Sequence, residues 1–75
     1  MKRSDFLKEI IDAIEIEKGI GEETVLDDIE EWDSLAAVTT LALFKQKLGL
    51  NVGAQDVKKC RTVKELLDLG SSKYE

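Results

Sequence analysis

No proline interrupts the 75 residues of this chain, and its apolar side chains return at intervals of three and four rather than two. That spacing lays side chains along one stripe of a helix, whereas a half-buried strand needs strict alternation. It predicts an all-α fold with no strand. Phe6, Leu7, Ile10, Ile11 and Ile14 make the first stripe. Ser4 is the candidate cap of that helix, with Asp5 and Glu9 near its positive end, and Gly19 and Gly21 are its expected stop. A second helix is predicted from Ser34 to Leu48, burying Leu35, Val38, Leu41, Ala42, Phe44 and Leu48 and ending at Gly49. A short third helix is predicted near Asp56–Cys60 with Val57 facing inward. Thr62-Val63-Lys64-Glu65 then has the spacing of a capping box for the last helix, whose stripe is Leu66, Leu67 and Leu69 and whose end is Gly70. The expected architecture is a small four-helix bundle with a long first loop and a short third helix. Residues 1–75 are read as one domain, with a frayed tail over residues 71–75.

A core this small supplies only about 3–5 kcal/mol of net stability. The connection over residues 17–33 is unusually long for such a domain. It is not a free linker, because Ile20, Val25, Leu26, Ile29 and Trp32 are interleaved with its acids and pin it across the helices. Trp32 is read as a structural anchor rather than a ligand-stacking residue. No apolar run is long enough to span a membrane, and the basic residues at the N-terminus precede no signal-like apolar segment. The single cysteine, Cys60, excludes a disulfide framework and suits a reducing cytoplasm, where it is expected to pack half-buried. A cytoplasmic monomer is the expectation. With no histidine and one cysteine, the chain lacks a histidine acid–base pair, a Cys–His nucleophile and a zinc site. It is not expected to be an enzyme.

Charge is concentrated in the loop. Residues 15–33 hold nine carboxylates against Lys18, while residues 34–75 hold seven basic and four acidic side chains, within a total of −5. That balance argues against nucleic acid, whose affinity comes from lysine and arginine. The acids Glu22, Glu23, Asp27, Asp28, Glu30 and Glu31 form either a solvated loop or a docking surface for basic proteins. Asp27, Asp28, Glu30, Glu31 and Asp33 do not follow the calcium-loop spacing or its glycine.

The most informative stretch is Glu30-Glu31-Trp32-Asp33-Ser34-Leu35. Asp33 and Ser34 are both good N-caps, and neither has Glu or Gln three residues on to complete a box. One of the two is spare. Ser34 is therefore either a redundant cap or a presented hydroxyl, and no histidine in the chain can activate it.

Trp32-Asp33-Ser34-Leu35 at the mouth of the second helix resembles the acyl carrier protein family. Val38, the run Leu41–Phe44, the exit Leu48-Gly49-Leu50-Asn51-Val52 and Thr62-Val63-Lys64-Glu65-Leu66 extend the likeness over residues 26–69. The resemblance implies that Ser34 carries a 4'-phosphopantetheine arm taken from coenzyme A by a phosphopantetheinyl transferase that uses magnesium. It also implies that acyl- or aminoacyl-loading and transfer enzymes use the thioester on that arm, and that Trp32, Asp33, Leu35 and Val38 belong to the recognition motif. One departure stands out. Carriers of fatty acid synthesis usually have an acidic second helix, where this chain has Ala36, Thr39, Lys45, Gln46 and Lys47. The likeness thus points to a dedicated carrier whose partners read the loop or the apolar patch around Leu35. Ala36, Ala37 and Ala42 either make room for cargo inside the bundle or permit close helix packing. Two rival readings stay open: an unmodified helical module that binds a basic protein, and a peptidyl or D-alanyl type of carrier. A helix-turn-helix DNA binder fits the helix count but not the charge.

Overall fold

Four α-helices account for most of residues 1–74, which the computed structural model describes. They are α1 (Arg3–Ile14), α2 (Ser34–Leu48), α3 (Ala54–Lys58) and α4 (Val63–Asp68). Two single turns of tighter 3₁₀ helix lie at Leu26–Asp28 and Ser71–Lys73. The described residues contain no strand, only one isolated antiparallel pairing of Val25 with Thr62. The all-α reading holds.

Phe6 organises the core. It is fully buried on α1, its ring centroid 4.9 Å from that of Phe44 on α2 at a tilt of 52°, an aromatic geometry worth about 0.5–1.5 kcal/mol beyond area alone. Ile10, Leu43, Val57, Val63, Leu66 and Leu67 complete the interior. Thr40 is buried with them, its hydroxyl donating to the Ala36 carbonyl one turn back at 2.9 Å.

Both ends of α1 differ from expectation. Ser4 does not cap it. The helix starts two residues earlier, Lys2 taking the N-cap position with no side-chain bond and its carbonyl accepting from Phe6 N–H at 3.0 Å. The stop is Glu15, not Gly19 or Gly21. Glu15 turns left-handed at φ 62°, and Ile16 N–H reaches the Ile11 carbonyl at 3.1 Å. A non-glycine residue in that conformation costs about 1–2 kcal/mol, and burying Ile16 offsets it. Gly49, at φ 64°, ends α2 by the same left-handed turn, as expected.

The buried side of α2 also needs correction. Its interior residues are Ala36, Thr40, Leu43 and Phe44. Leu35 and Val38, expected inside, are 73% and 59% exposed, and Ala42 faces solvent. Leu41 and Leu48 are half-buried. Ser34–Phe44 is apolar nearly all round, so its spacing fits two faces equally well. The ring of Phe44 against Phe6 selects one of them.

The long loop is stitched to α4. Leu26 N–H donates to the Arg61 carbonyl at 2.8 Å, while Val63 and Lys64 N–H donate to Thr24 and Glu22 carbonyls at 2.9 and 2.8 Å. The loop thereby satisfies two of the N–H groups that a helix start leaves open. Leu26 and Ile29 are buried beneath it. Thr62 caps α4, its Oγ1 accepting from Glu65 N–H at 3.3 Å and its hydroxyl donating to Glu65 Oε1 at 3.4 Å. Glu65 thus meets the Thr62 hydroxyl rather than completing a box. At α3, which begins two residues before its predicted start, Asp56 Oδ2 accepts from Gly53 N–H at 3.3 Å.

The tail is docked rather than frayed over its described residues 71–74; Glu75 lies outside them. Tyr74 donates from its hydroxyl to the Leu67 carbonyl at 2.7 Å, and its ring centroid is 6.0 Å from that of Phe6. Arg3 sits 5.8 Å over the Tyr74 ring and pairs with Glu22 at 2.9 Å and Asp68 at 2.7 Å. Gly70 serves this packing. A Cβ there would lie 2.7 Å from Leu48 Cδ1 and 3.1 Å from both Phe44 and Tyr74. The helix ends at Asp68, before it.

Burial pushes the Tyr74 phenol up to about 12; Arg3 pulls it partly back, and Asp68 and Glu22 add to the rise. An ordinary phenol titrates near pH ~10. A folded value above the unfolded one means that the protonated phenol favours the native state. That stability is complete below pH ~10 and is lost as pH climbs toward the folded value. Denaturant titrations between those limits should show the wild type losing stability more steeply than Tyr74→Phe. Parallel slopes would show that the phenol makes no such contribution.

Candidate functional site

The start of α2 holds an exposed serine hydroxyl beside a recess. Asp33, in extended backbone at φ −140°, is the N-cap, and its Oδ1 accepts from Ala36 N–H at 2.8 Å. Its carbonyl accepts from Ala37 N–H at 3.0 Å. Ser34 is the first helical residue and exposed, and its hydroxyl makes no hydrogen bond among the described residues. Of the two tandem capping residues, Asp33 does the capping and Ser34 is left free. The backbone N–H groups of Ser34 and Leu35 also have no acceptor there, so the helix presents open donors at its positive end.

A groove of about 200 Å³ opens beside Ser34, between the loop, α2 and α3. Trp32, Ala37 and Val57 form its apolar part, and Lys58 and Cys60 lie on its α3 side. Asp27 and Asp33 also line it. Trp32 is half-buried against the core, as an anchor should be, and also walls this recess. Cys60 is half-buried, its Sγ donating to the Asp56 carbonyl at 3.3 Å. Burial first, then Glu65, Asp56 and Asp68, push its thiol up, which keeps it protonated and unreactive.

The predicted docking acids do not act as one set. Glu22 is committed to Arg3. Glu31 turns inward, its Oε2 accepting from Glu17 N–H at 2.9 Å and its Oε1 buried without a partner among the described residues. Glu23, Asp27, Asp28 and Glu30 are exposed. Leu35 and Val38 project from α2 beside Ser34, and α2 itself contains no carboxylate. The exposure of this apolar pair was the signal that helical periodicity read in reverse. The apolar space under the loop, lined by residues such as Leu7, Ile20, Ile29 and Trp32, amounts to about 10 Å³, roughly enough for one water. Ala36 packs into the core instead of leaving room there.

The division of labour between Asp33 and Ser34 is measurable in urea unfolding. Asp33→Ala should cost about 0.5–2 kcal/mol, the range for a lost N-cap. Ser34→Ala should stay within about 0.5 kcal/mol of wild type, and an equal loss in both would mean that Ser34 shares the cap.

No helix among the described residues is long and apolar enough to cross a membrane. No curated protein matches the chain with significance. A family model does: the one described as the phosphopantetheine attachment site matches residues 5–69, from the first turn of α1 to just past the end of α4. The chain belongs to the phosphopantetheine attachment site family, and it is a carrier domain for a covalent 4'-phosphopantetheine group.

Proposed function

We propose that Ser34 is the residue that carries the arm, and that the chain presents acyl or aminoacyl thioesters on it to partner enzymes. The observation that carries this reading is a serine at the first position of α2, exposed and unbonded, with the cap supplied by its neighbour Asp33. The residues present fit the group: the hydroxyl is open to an incoming enzyme, unbonded N–H groups beside it favour a phosphodiester, and a partly apolar groove adjoins it. When bound, the arm supplies a terminal thiol for thioester chemistry. No described residue hydrogen-bonds the Ser34 hydroxyl, so the base that removes its proton belongs to the transferase. This chain positions and presents; catalysis belongs to its partners.

Recognition follows from the same geometry. Leu35 and Val38 are apolar, exposed and adjacent to Ser34, which suits a partner's apolar socket. Asp27, Asp28 and Glu30 lie in the loop preceding Ser34 and Glu23 earlier in it, all solvent-facing and able to steer a basic rim. The acid-free α2, with Lys45 and Lys47 in its last turn, separates this chain from carriers read through an acidic second helix. The pathway it serves is a specialised one.

Co-expression with a phosphopantetheinyl transferase followed by intact-mass measurement tests the attachment. Wild type should gain one arm and Ser34→Ala none; an arm on the variant, or none on wild type, refutes the assignment and favours an unmodified interaction module. For the partners, the loaded protein offered to a standard fatty-acid elongation set should turn over at least about tenfold more slowly than an acidic-helix carrier, a difference of ~1.4 kcal/mol in recognition. Equal turnover would refute a dedicated pathway.

A further inference from the structure

We infer that Lys58 is the counter-ion of the arm's phosphodiester, a positioning residue that holds the base of the arm against α3. The inference rests on the assignment of the arm to Ser34. Lys58 is the last residue of α3 and lines the same groove as Ser34, although the two are 24 positions apart in sequence. Among the described residues it is the one cation that lines that groove. Among the described residues it takes part in no ion pair and no hydrogen bond. The side chains of Lys45, Lys59, Arg61 and Lys73 are also unpaired among the described residues, but none of them lines this groove, while Arg3, Lys18, Lys47 and Lys64 are engaged elsewhere.

Electrostatics gives that position its use. The groove already holds the Asp27 and Asp33 carboxylates, and Asp33 cannot leave, because its Oδ1 is the cap of α2. A phosphodiester on Ser34 brings a third negative charge into a recess of about 200 Å³. The open N–H groups of Ser34 and Leu35 relieve part of that repulsion. Lys58 is the side chain placed to relieve the rest, with a flexible four-carbon stem that lets its ammonium follow the phosphate. The pairing also gives the arm a direction. With its base held toward α3, the arm would lie on the groove side of Ser34, whose lining does not include the exposed Leu35 and Val38.

The test uses the intact protein in apo and holo forms, as wild type, Lys58→Gln, Lys58→Glu and Lys58→Arg. Intact mass comes first, with Ser34→Ala as control: an arm on all four proteins and none on Ser34→Ala shows that the Ser34 assignment stands whatever follows, and an absent arm on wild type removes that assignment instead. Phosphorus NMR of the holo proteins should place the Lys58→Gln and Lys58→Glu resonances away from wild type, with Lys58→Arg close to it. Melting at low salt should show the holo form of Lys58→Glu losing about 1–4 °C relative to its own apo form beyond any loss in wild type, the size of one exposed ion pair in a domain of this length. Salt near ~1 M should erase that difference. Because each variant is compared with its own apo form, a general effect on folding cancels. Phosphorus resonances and apo-to-holo melting shifts that are the same in all four proteins would overturn the role of Lys58 while leaving the carrier assignment intact.

Discussion

The structure depends on how the acidic loop is held down. Leu26 and Ile29 are buried below it, and three backbone hydrogen bonds tie residues 22–26 to the chain at Arg61–Lys64. These bonds close the start of α4 and fix the loop together, so neither end of the contact is independent of the other. Asp33 is delivered to the start of α2 by this arrangement. Were the loop free, the cap and the serine beside it would have no fixed relation to α3, and the groove lined by Trp32, Val57 and Lys58 would not exist.

A second constraint acts from the termini. Arg3 bridges Glu22 in the loop and Asp68 on α4, donates to the Lys64 carbonyl at 3.1 Å, and covers Tyr74. These groups are partly exposed, so each ion pair contributes modestly. Their value is geometric. They bring both ends of the described chain onto the aromatic pair Phe6 and Phe44, on the side of the core where Gly70 leaves room. Ser34 takes no part in this network.

Exposure and charge divide the surface around Ser34 into distinct parts. An acidic loop lies before it, an apolar pair on α2 beside it, and a lysine across the groove. A carrier must be recognised by several enzymes and must also release them, and weak, separable contacts of these kinds suit that task better than one large interface.

Helical spacing, absent proline and the glycine at position 49 were enough to place four helices and the end of α2, because these are local properties of the backbone. The tandem Asp33-Ser34 was legible for the same reason: capping chemistry is decided within three residues. What spacing could not decide was which side of α2 faces inward, since Ser34–Phe44 is apolar nearly all round and only the packing of Phe44 on Phe6 chooses. Nor could it place the stop of α1 at Glu15, the docking of Tyr74, or the loss of Glu22 and Glu31 to internal contacts. Those features depend on groups far apart in sequence. Lys58 facing the same groove as Ser34 is of that kind: local chemistry marked the serine, and only tertiary structure brought it a cation.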